Sequence, residues 1–286
     1  MTGKSLFAPF LLWVAAIIPA PAQKADYQKA DSQRVASLFQ KARGQRKAMG
    51  SYMVFFGRQL RGVPYVAKTL EVNREERLVV NLRQLDCTTY VETVLALSRC
   101  MMQGKPTFAN FCTQLRLIRY ARGVVSYPTR QHYFTYWIKQ NAAKGIVRDI
   151  QSPNPPFTTV QTVRTDYMTT HVSQYPMLVG HPAYLVDIKA MEKAITGLKP
   201  RYIPEQQLRN TQLIRNTVHD GDIIGIVTTK AGLDISHLGI AVWHKDGLHM
   251  LNASSIYHKV VEDNDLLYTY LKRKKTSVGI RIVRPY

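Results

Sequence analysis

Cys87 is the residue with the most reactive chemistry on offer. It stands in the run Leu85-Asp86-Cys87-Thr88-Thr89-Tyr90-Val91-Glu92. Asp86 is a good helix N-cap, and Thr89 with Glu92 adds a capping-box pattern, so Cys87 falls in the first turn of a helix. Backbone N–H groups and the positive end of the helix dipole favour a thiolate there. Free backbone donors at such a turn also suit an oxyanion. Most lone cysteines are small buried hydrophobes; the capped helix start sets this one apart. A nucleophilic cysteine needs a base, and the base needs an orienter. Of eight histidines, only His237 opens a strongly apolar run, Ser236-His237-Leu238-Gly239-Ile240-Ala241-Val242-Trp243. An imidazole heading such a run belongs at a strand end that faces a cleft. Asn252, in Met250-Leu251-Asn252-Ala253-Ser254, can accept from the imidazole N–H and select its tautomer.

The spacing sets a condition. Mirroring the hairpin about Asp246-Gly247 puts Asn252 opposite Ala241, four residues and roughly 13 Å from His237. A bulge, a wider loop or strand shear has to bring them together. Ser254, opposite Gly239 in that register, is the alternative orienter. Asp86 and Ser236 flank the cysteine and the histidine; each can bind polar substrate atoms or serve only as an N-cap and a strand-end hydroxyl. Cys100 and Cys112 fall on helices twelve residues apart, which fits either a disulfide across a helical hairpin or two buried thiols. No His/Cys/Asp cluster shows metal-ligand spacing, so neither a metal nor a cofactor is expected.

These residues need elements to hold them. Residues 26–60 read as helical, ending at Arg61-Gly62-Val63-Pro64. Residues 66–71 and 78–82 read as short strands. From Thr88 to Met102 apolar residues surround most of a helix, as in a central, buried one. Phe108, Phe111, Cys112, Leu115 and Ile118 mark a second helix, and residues 132–143 a third. Pro153, Pro155 and Pro156 make a loop. Residues 158–221 read as an insertion packed onto the core. Strands follow at Ile223–Val227, His237–Trp243, Leu248–Ala253 and Gly279–Val283, with Asp246-Gly247 as a hairpin turn. Helices first and an antiparallel sheet after make the class α+β, read as one domain over 23–286.

The chain has 286 residues, 45% hydrophobic and 10% aromatic, which excludes a disordered polymer. Lys4, an apolar stretch from Leu6 to Ile18 and Ala20-Pro21-Ala22 form a secretory signal pattern, so cleavage near Ala22 and a secreted or periplasmic location are expected. The net charge of +20 then loses only Lys4. Such a basic secreted chain wants an anionic partner. The cell wall or an anionic membrane surface fits the address better than nucleic acid, for which no motif is visible. No later apolar run suits a membrane anchor. The cluster Lys272-Arg273-Lys274-Lys275 reads as solvated surface.

Gly62-Val63-Pro64-Tyr65, Leu85-Asp86-Cys87 and Ser236-His237-Leu238-Gly239-Ile240 together resemble the NlpC-type family of papain-like cell-wall hydrolases. With Asp86–Glu92, Arg130-Gln131-His132-Tyr133-Phe134 and Gly232-Leu233-Asp234-Ile235-Ser236-His237, the chain resembles a narrower branch, the N-acetylmuramoyl-L-alanine amidase-like proteins. The likeness runs from about Arg61 to the C-terminus. It implies a papain-like fold, with a central helix on an antiparallel sheet, and a Cys87-His237-Asn252 triad. It implies hydrolysis of the amide between the muramyl lactyl group and L-Ala in peptidoglycan fragments, anhydro-muropeptides among them. Within it, Arg130 and His132 contact sugar or peptide carboxylate or play structural parts, and Tyr65 assists the Cys87 N–H at the oxyanion. Tyr127, Tyr133 and Trp137 stack on sugar or pack in the core. A γ-D-glutamyl-diamino acid endopeptidase, a wall-binding module with a dead site and a thiol acyltransferase are the competing readings.

Overall fold

The strand β6 (Ile223–Thr228) is buried along its whole length, and this governs the architecture. A run of apolar residues without alternation needs cover on both faces of its sheet. The computed structural model, which describes residues 25–286 other than Arg46 and Asn210, provides that cover. The predicted leader and its cleavage point near Ala22 lie outside the described residues.

Ahead of β6 the chain runs β1 (Asp26–Tyr27), α1 (Lys29–Lys41), α2 (Met49–Gln59), β2 (Val79–Val80), α3 (Cys87–Met102), α4 (Phe108–Arg119) and α5 (Phe134–Ala143). Then come β3 (Val147–Ile150), β4 (Thr159–Val160), α6 (Tyr167–Thr170), α7 (Pro176–Gly180), α8 (Tyr184–Ile195), β5 (Arg201–Pro204) and α9 (Gln212–Thr217). After β6 follow β7 (Ile235–Trp243), β8 (Leu248–Ser254), β9 (Lys259–Glu262), α10 (Leu267–Lys272) and β10 (Ser277–Pro285). The main sheet has the order β4-β5-β10-β6-β7-β8-β9, with β3 also on β10, and all its pairings are antiparallel. A mixed α/β fold around a large antiparallel sheet is the outcome.

Alternate residues of the central strands serve two cores. Ile223, Leu238, Ile240, Val242 and Leu251 pack on α1 to α4. Ile224, Ile226, Ala241, Met250 and Ile282 pack on the other side with Leu267 and Leu271 of α10. α3 lies inside the first core, buried from Thr89 to Ser98 and again at Cys100, whereas Met102 is half exposed. α2 closes on it at Gly57, where a Cβ would stand 2.7 Å from the Tyr90 hydroxyl oxygen.

Several expectations change. Residues 66–71 form turns rather than a strand, and residues 26–60 divide into β1 and two helices. The segment 158–221 is composite. Residues from Val163 to Ile195 build a separate small core with Tyr127 and Tyr133, but β5 belongs to the main sheet, and Ile214 and Val218 belong to its second core. The inserted part is therefore the middle of that segment. The thiols of Cys100 and Cys112 are free, and burial pushes them up to about 12 and about 11. No described helix is long and apolar enough to cross a membrane.

Candidate active site

Cys87 is the first residue of α3, immediately after its N-cap. Asp86 Oδ1 accepts from the Thr89 N–H at 2.8 Å, and Thr89 Oγ1 accepts from the Asp86 N–H at 2.9 Å. The capping box is thus Asp86 with Thr89, not Thr89 with Glu92. Glu92 lies one turn deeper, where its carboxylate accepts from Arg119 Nε at 2.7 Å. That ion pair is buried on both sides and ties α3 to the end of α4.

β7 brings the histidine. Leu238 and Cys87 belong to one core, and the Leu238 N–H favours the Cys87 thiolate, so strand and helix meet at the cysteine. Ile226 pairs with His237 but Val227 pairs with Ile235, so Ser236 is an extra residue in β7. Such a bulge bends a strand and re-aims the next side chain. Asp234 secures the strand from below: buried, it accepts from the Ile235 N–H at 2.9 Å and from the Thr135 N–H in the first turn of α5 at 2.6 Å.

The hairpin register resolves the spacing condition. Ala241 faces Met250 and Ile240 faces Leu251, so the connection between Trp243 and Leu248 holds four residues instead of two. Continuing the ladder by one residue carries Asn252 to the level of Gly239, two residues from His237. There Asn252 Oδ1 lies 3.0 Å from His237 Nε2. A carboxamide oxygen only accepts, so Nε2 carries the proton and Nδ1 keeps the lone pair. Asn252 is fully buried, and its own amide N–H reaches the Met250 carbonyl at 3.4 Å. Ser254, the alternative orienter, instead accepts from the Ile256 and Tyr257 N–H groups at the next turn.

Cys87 and His237 line one cleft of about 150 Å³ with Thr88, His132, Trp137 and Ser236. Burial and the Asp86 charge push the Cys87 thiol up to about 11, against the opposing effects of the Leu238 N–H and of Thr88. Burial pulls His237 down to about 4. Against the expectation of a thiolate at the helix start, burial favours the neutral thiol and the neutral imidazole. The Tyr65 phenol is held above its ordinary value by burial and by the neighbouring Cys87 and Asp86. Its backbone N–H is committed to the His258 carbonyl at 2.9 Å, so the hydroxyl is the group it can offer.

The other residues singled out in the sequence separate into two groups. Ser236 is exposed at the cleft rim, and its hydroxyl donates to the Ile226 carbonyl at 3.4 Å. His132 forms part of the cleft wall; its Nε2 lies 2.9 Å from the Tyr127 carbonyl, and burial pulls the ring down to about 3. Arg130 is absent from the cleft lining: its buried guanidinium is ion-paired with Glu71 and lies 3.5 Å from Glu76. Opposite charges at that range hold it in place, away from the cleft. Tyr127, Tyr133 and Trp137 are core residues, although Trp137 also floors the cleft.

Sequence reasoning missed α10. Tyr270 stacks on the His237 ring at 6.4 Å between centroids and 28° between planes. Lys274 Nζ donates to the Tyr270 hydroxyl at 2.8 Å, so Lys274 is half-buried beside the site instead of free in solvent. No local signal marks either residue, since the contact spans more than thirty positions. Among the described residues, none from 158–221 lines the cleft. The insertion reaches it indirectly: Gln161 donates to the Asp234 carbonyl at 2.6 Å, and Leu233 packs against the inserted core.

A cysteine at a helix start, sharing one cleft with a histidine that a buried amide on a neighbouring strand holds, offers the groups a thiol acyl-transfer site needs. Residues 55–280 match the family model of AmiA-like, N-acetylmuramoyl-L-alanine amidase-like proteins, and the chain belongs to that family. It is similar to a crystal structure of an N-acetylmuramoyl-L-alanine amidase from Bacteroides uniformis, at 33% identity and a TM-score of 0.77, over 83% of this chain and 99% of that one. A putative xylanase from Bacteroides fragilis is 35% identical with a TM-score of 0.74, over 80% of this chain and 98% of that one. A Legionella pneumophila protein at 24% identity and a TM-score of 0.67 shares the fold. No curated protein sequence matches.

Proposed function

We propose that this protein is a cysteine amidase that hydrolyses the N-acetylmuramoyl-L-alanine bond of peptidoglycan fragments, anhydro-muropeptides included, with Cys87, His237 and Asn252 as its triad. The 3.0 Å contact between His237 Nε2 and Asn252 Oδ1 carries the reading, because it leaves Nδ1 as the base in the cleft that Cys87 shares. Membership of the amidase-like family supports the bond assigned. The same arrangement supports an NlpC-type, papain-like origin for the site. The leader pattern up to Ala22 supports release into the periplasm or medium, where such fragments are met.

In this mechanism Cys87 Sγ attacks the lactyl carbonyl carbon while its proton passes to His237 Nδ1. A neutral thiol suits this step: the thiolate never waits in a buried site, and its charge develops only as the base takes the proton. The carbonyl oxygen becomes an oxyanion, held by the Cys87 N–H at the helix start and the Tyr65 hydroxyl. The imidazolium then protonates the L-Ala nitrogen, the C–N bond breaks and the stem peptide leaves. Water, deprotonated by His237, hydrolyses the thioester and restores the thiol. Ser236 and His132, which line the cleft, and Asp86 beside Cys87 are the polar contacts for substrate.

The test is mass spectrometry of purified muropeptides incubated with the mature chain and with its Cys87→Ala variant. Free stem peptide plus the muramyl saccharide, absent with the variant, is the expected result. Cleavage after D-Glu would retain Cys87 but overturn the bond assigned. Turnover that survives in Cys87→Ala would overturn the triad.

A further inference from the structure

Far along β7 and β8 from His237, the turn joining these strands gathers a second set of polar side chains. His244, Asp246 and His249 each offer a ligand atom, and these atoms lie within 4.8 Å of one another. The sequence shows no recognised metal pattern in His244-Lys245-Asp246-Gly247-Leu248-His249; the four-residue connection folds the three together. We propose that His244, Asp246 and His249 form a binding site for a divalent transition-metal cation, Zn²⁺ by ligand type. The inference is independent of the amidase reading.

Hydrogen bonding carries the argument. His249 Nδ1 lies 2.9 Å from the Asp263 carbonyl oxygen, which only accepts, so Nδ1 bears the proton. In the neutral ring Nε2 is then a lone pair, and it faces Asp246 Oδ1 at 3.1 Å. A lone pair held against a carboxylate oxygen is repulsive unless positive charge lies between them. A metal ion or a second proton answers that need. His244 is arranged in parallel: its Nε2 is 2.7 Å from Glu262 Oε1, which leaves Nδ1 with a lone pair. The two rings lie 4.3 Å apart between centroids. Each imidazole thus has one nitrogen engaged by an oxygen acceptor and one left over, the outer-sphere support typical of metal-binding histidines.

Charge and space agree. Arg58 and Arg61 stand nearby, but both are drawn to Glu262, with Arg58 bidentate at 2.6 and 2.9 Å. His249 is anchored in the core, whereas Asp246 and His244 are exposed and able to close on an ion. The hollow, about 460 Å³ and open to solvent, leaves room for water as a fourth ligand.

The test uses the mature chain in a Cys87→Ala background, which removes the cleft thiol as a competing ligand. Zn²⁺ is measured by equilibrium dialysis with elemental analysis, and Co²⁺ by visible absorption. One equivalent of Zn²⁺ should bind, and His244→Gln or Asp246→Asn should weaken it roughly tenfold or more. Both positions are exposed, so unchanged metal-free thermal melts check folding. Affinity should fall from neutral to acid pH, because protons compete for the imidazoles. Failure to bind Zn²⁺ would overturn the proposal. Binding unaffected by either substitution, or a thiolate-to-cobalt charge-transfer band, would overturn it by placing the ion elsewhere.

Discussion

β7 and β8 hold histidines at both ends, and the two ends use them differently. At the cleft end His237 meets the amide of Asn252, which is fully buried. At the turn end the exposed His244 and the buried His249 meet the carboxylates of Glu262 and Asp246, beside a hollow open to water. An amide oxygen selects a tautomer without adding charge, and desolvation keeps the ring neutral. A carboxylate draws positive charge to the imidazole, whether a proton or a metal ion. One strand pair thereby offers its histidines an amide partner at one end and carboxylate partners at the other. The second partner and the access of water make the difference, not the histidine itself.

Changing the cleft end should have the largest effects. Cys87→Ala should lower turnover of muropeptides by roughly 10⁴-fold or more without unfolding the chain, as steady-state kinetics and circular dichroism would show. Asn252→Ala should cost on the order of 10²-fold or more in kcat, because the imidazole loses its tautomer and its aim while Cys87 remains. A preserved kcat would mean that the amide does not orient the ring.

Asn252→Asp sharpens the comparison by giving the cleft the acceptor type found at the turn. In the native chain kcat/KM should be lost as the pH falls through about 4, where His237 takes up a proton and ceases to be a base. The carboxylate should move that acid limb to higher pH, since it favours the charged ring. An unmoved limb would indicate that another group controls it.

Stability should carry the same signature. His237 binds its proton at about 4 when folded and at its ordinary value of 6.5 when unfolded. The unfolded chain therefore binds more protons between these values, and stability is lost as the pH falls from 6.5 towards 4. His132, pulled down to about 3, contributes in the same direction. Urea midpoints at pH 7 and pH 5 should differ less in His237→Asn than in the native chain. Smallest of all, Glu262→Gln at the turn should cost less than about 1 kcal/mol in the same titration, because its Arg58 partner is nearly half exposed and solvent screens the pair. Amidase turnover should be unchanged.

Cys87 and His237 were legible in the sequence because each sits where a local pattern changes: an acidic cap before a helix, and a polar residue heading an apolar strand. Asn252 was legible as a residue type on the return strand, but its alignment was not. A two-residue turn at Asp246-Gly247 is a sound reading of local propensity, yet the strands pair around a four-residue connection, and the bulge at Ser236 completes the adjustment. For Arg130 the sequence left substrate contact and a structural part open, because the partners that draw its charge, Glu71 and Glu76, stand more than fifty positions earlier.

The sequence alone determined which segments are helices and strands in the central core, because apolar periodicity, caps and turn residues act over a few neighbours. It also placed the cysteine at a helix start and the histidine at a strand end. Tertiary structure decided what those groups are chemically. Burial made thiol and imidazole neutral, strand register joined His237 to Asn252, and α10 returned to place Tyr270 and Lys274 beside them. Folding likewise assembled His244, Asp246 and His249 from a turn with no recognised metal pattern. Desolvation and hydrogen-bond partnership depend on groups distant along the chain, so they take definite values only once the chain has packed.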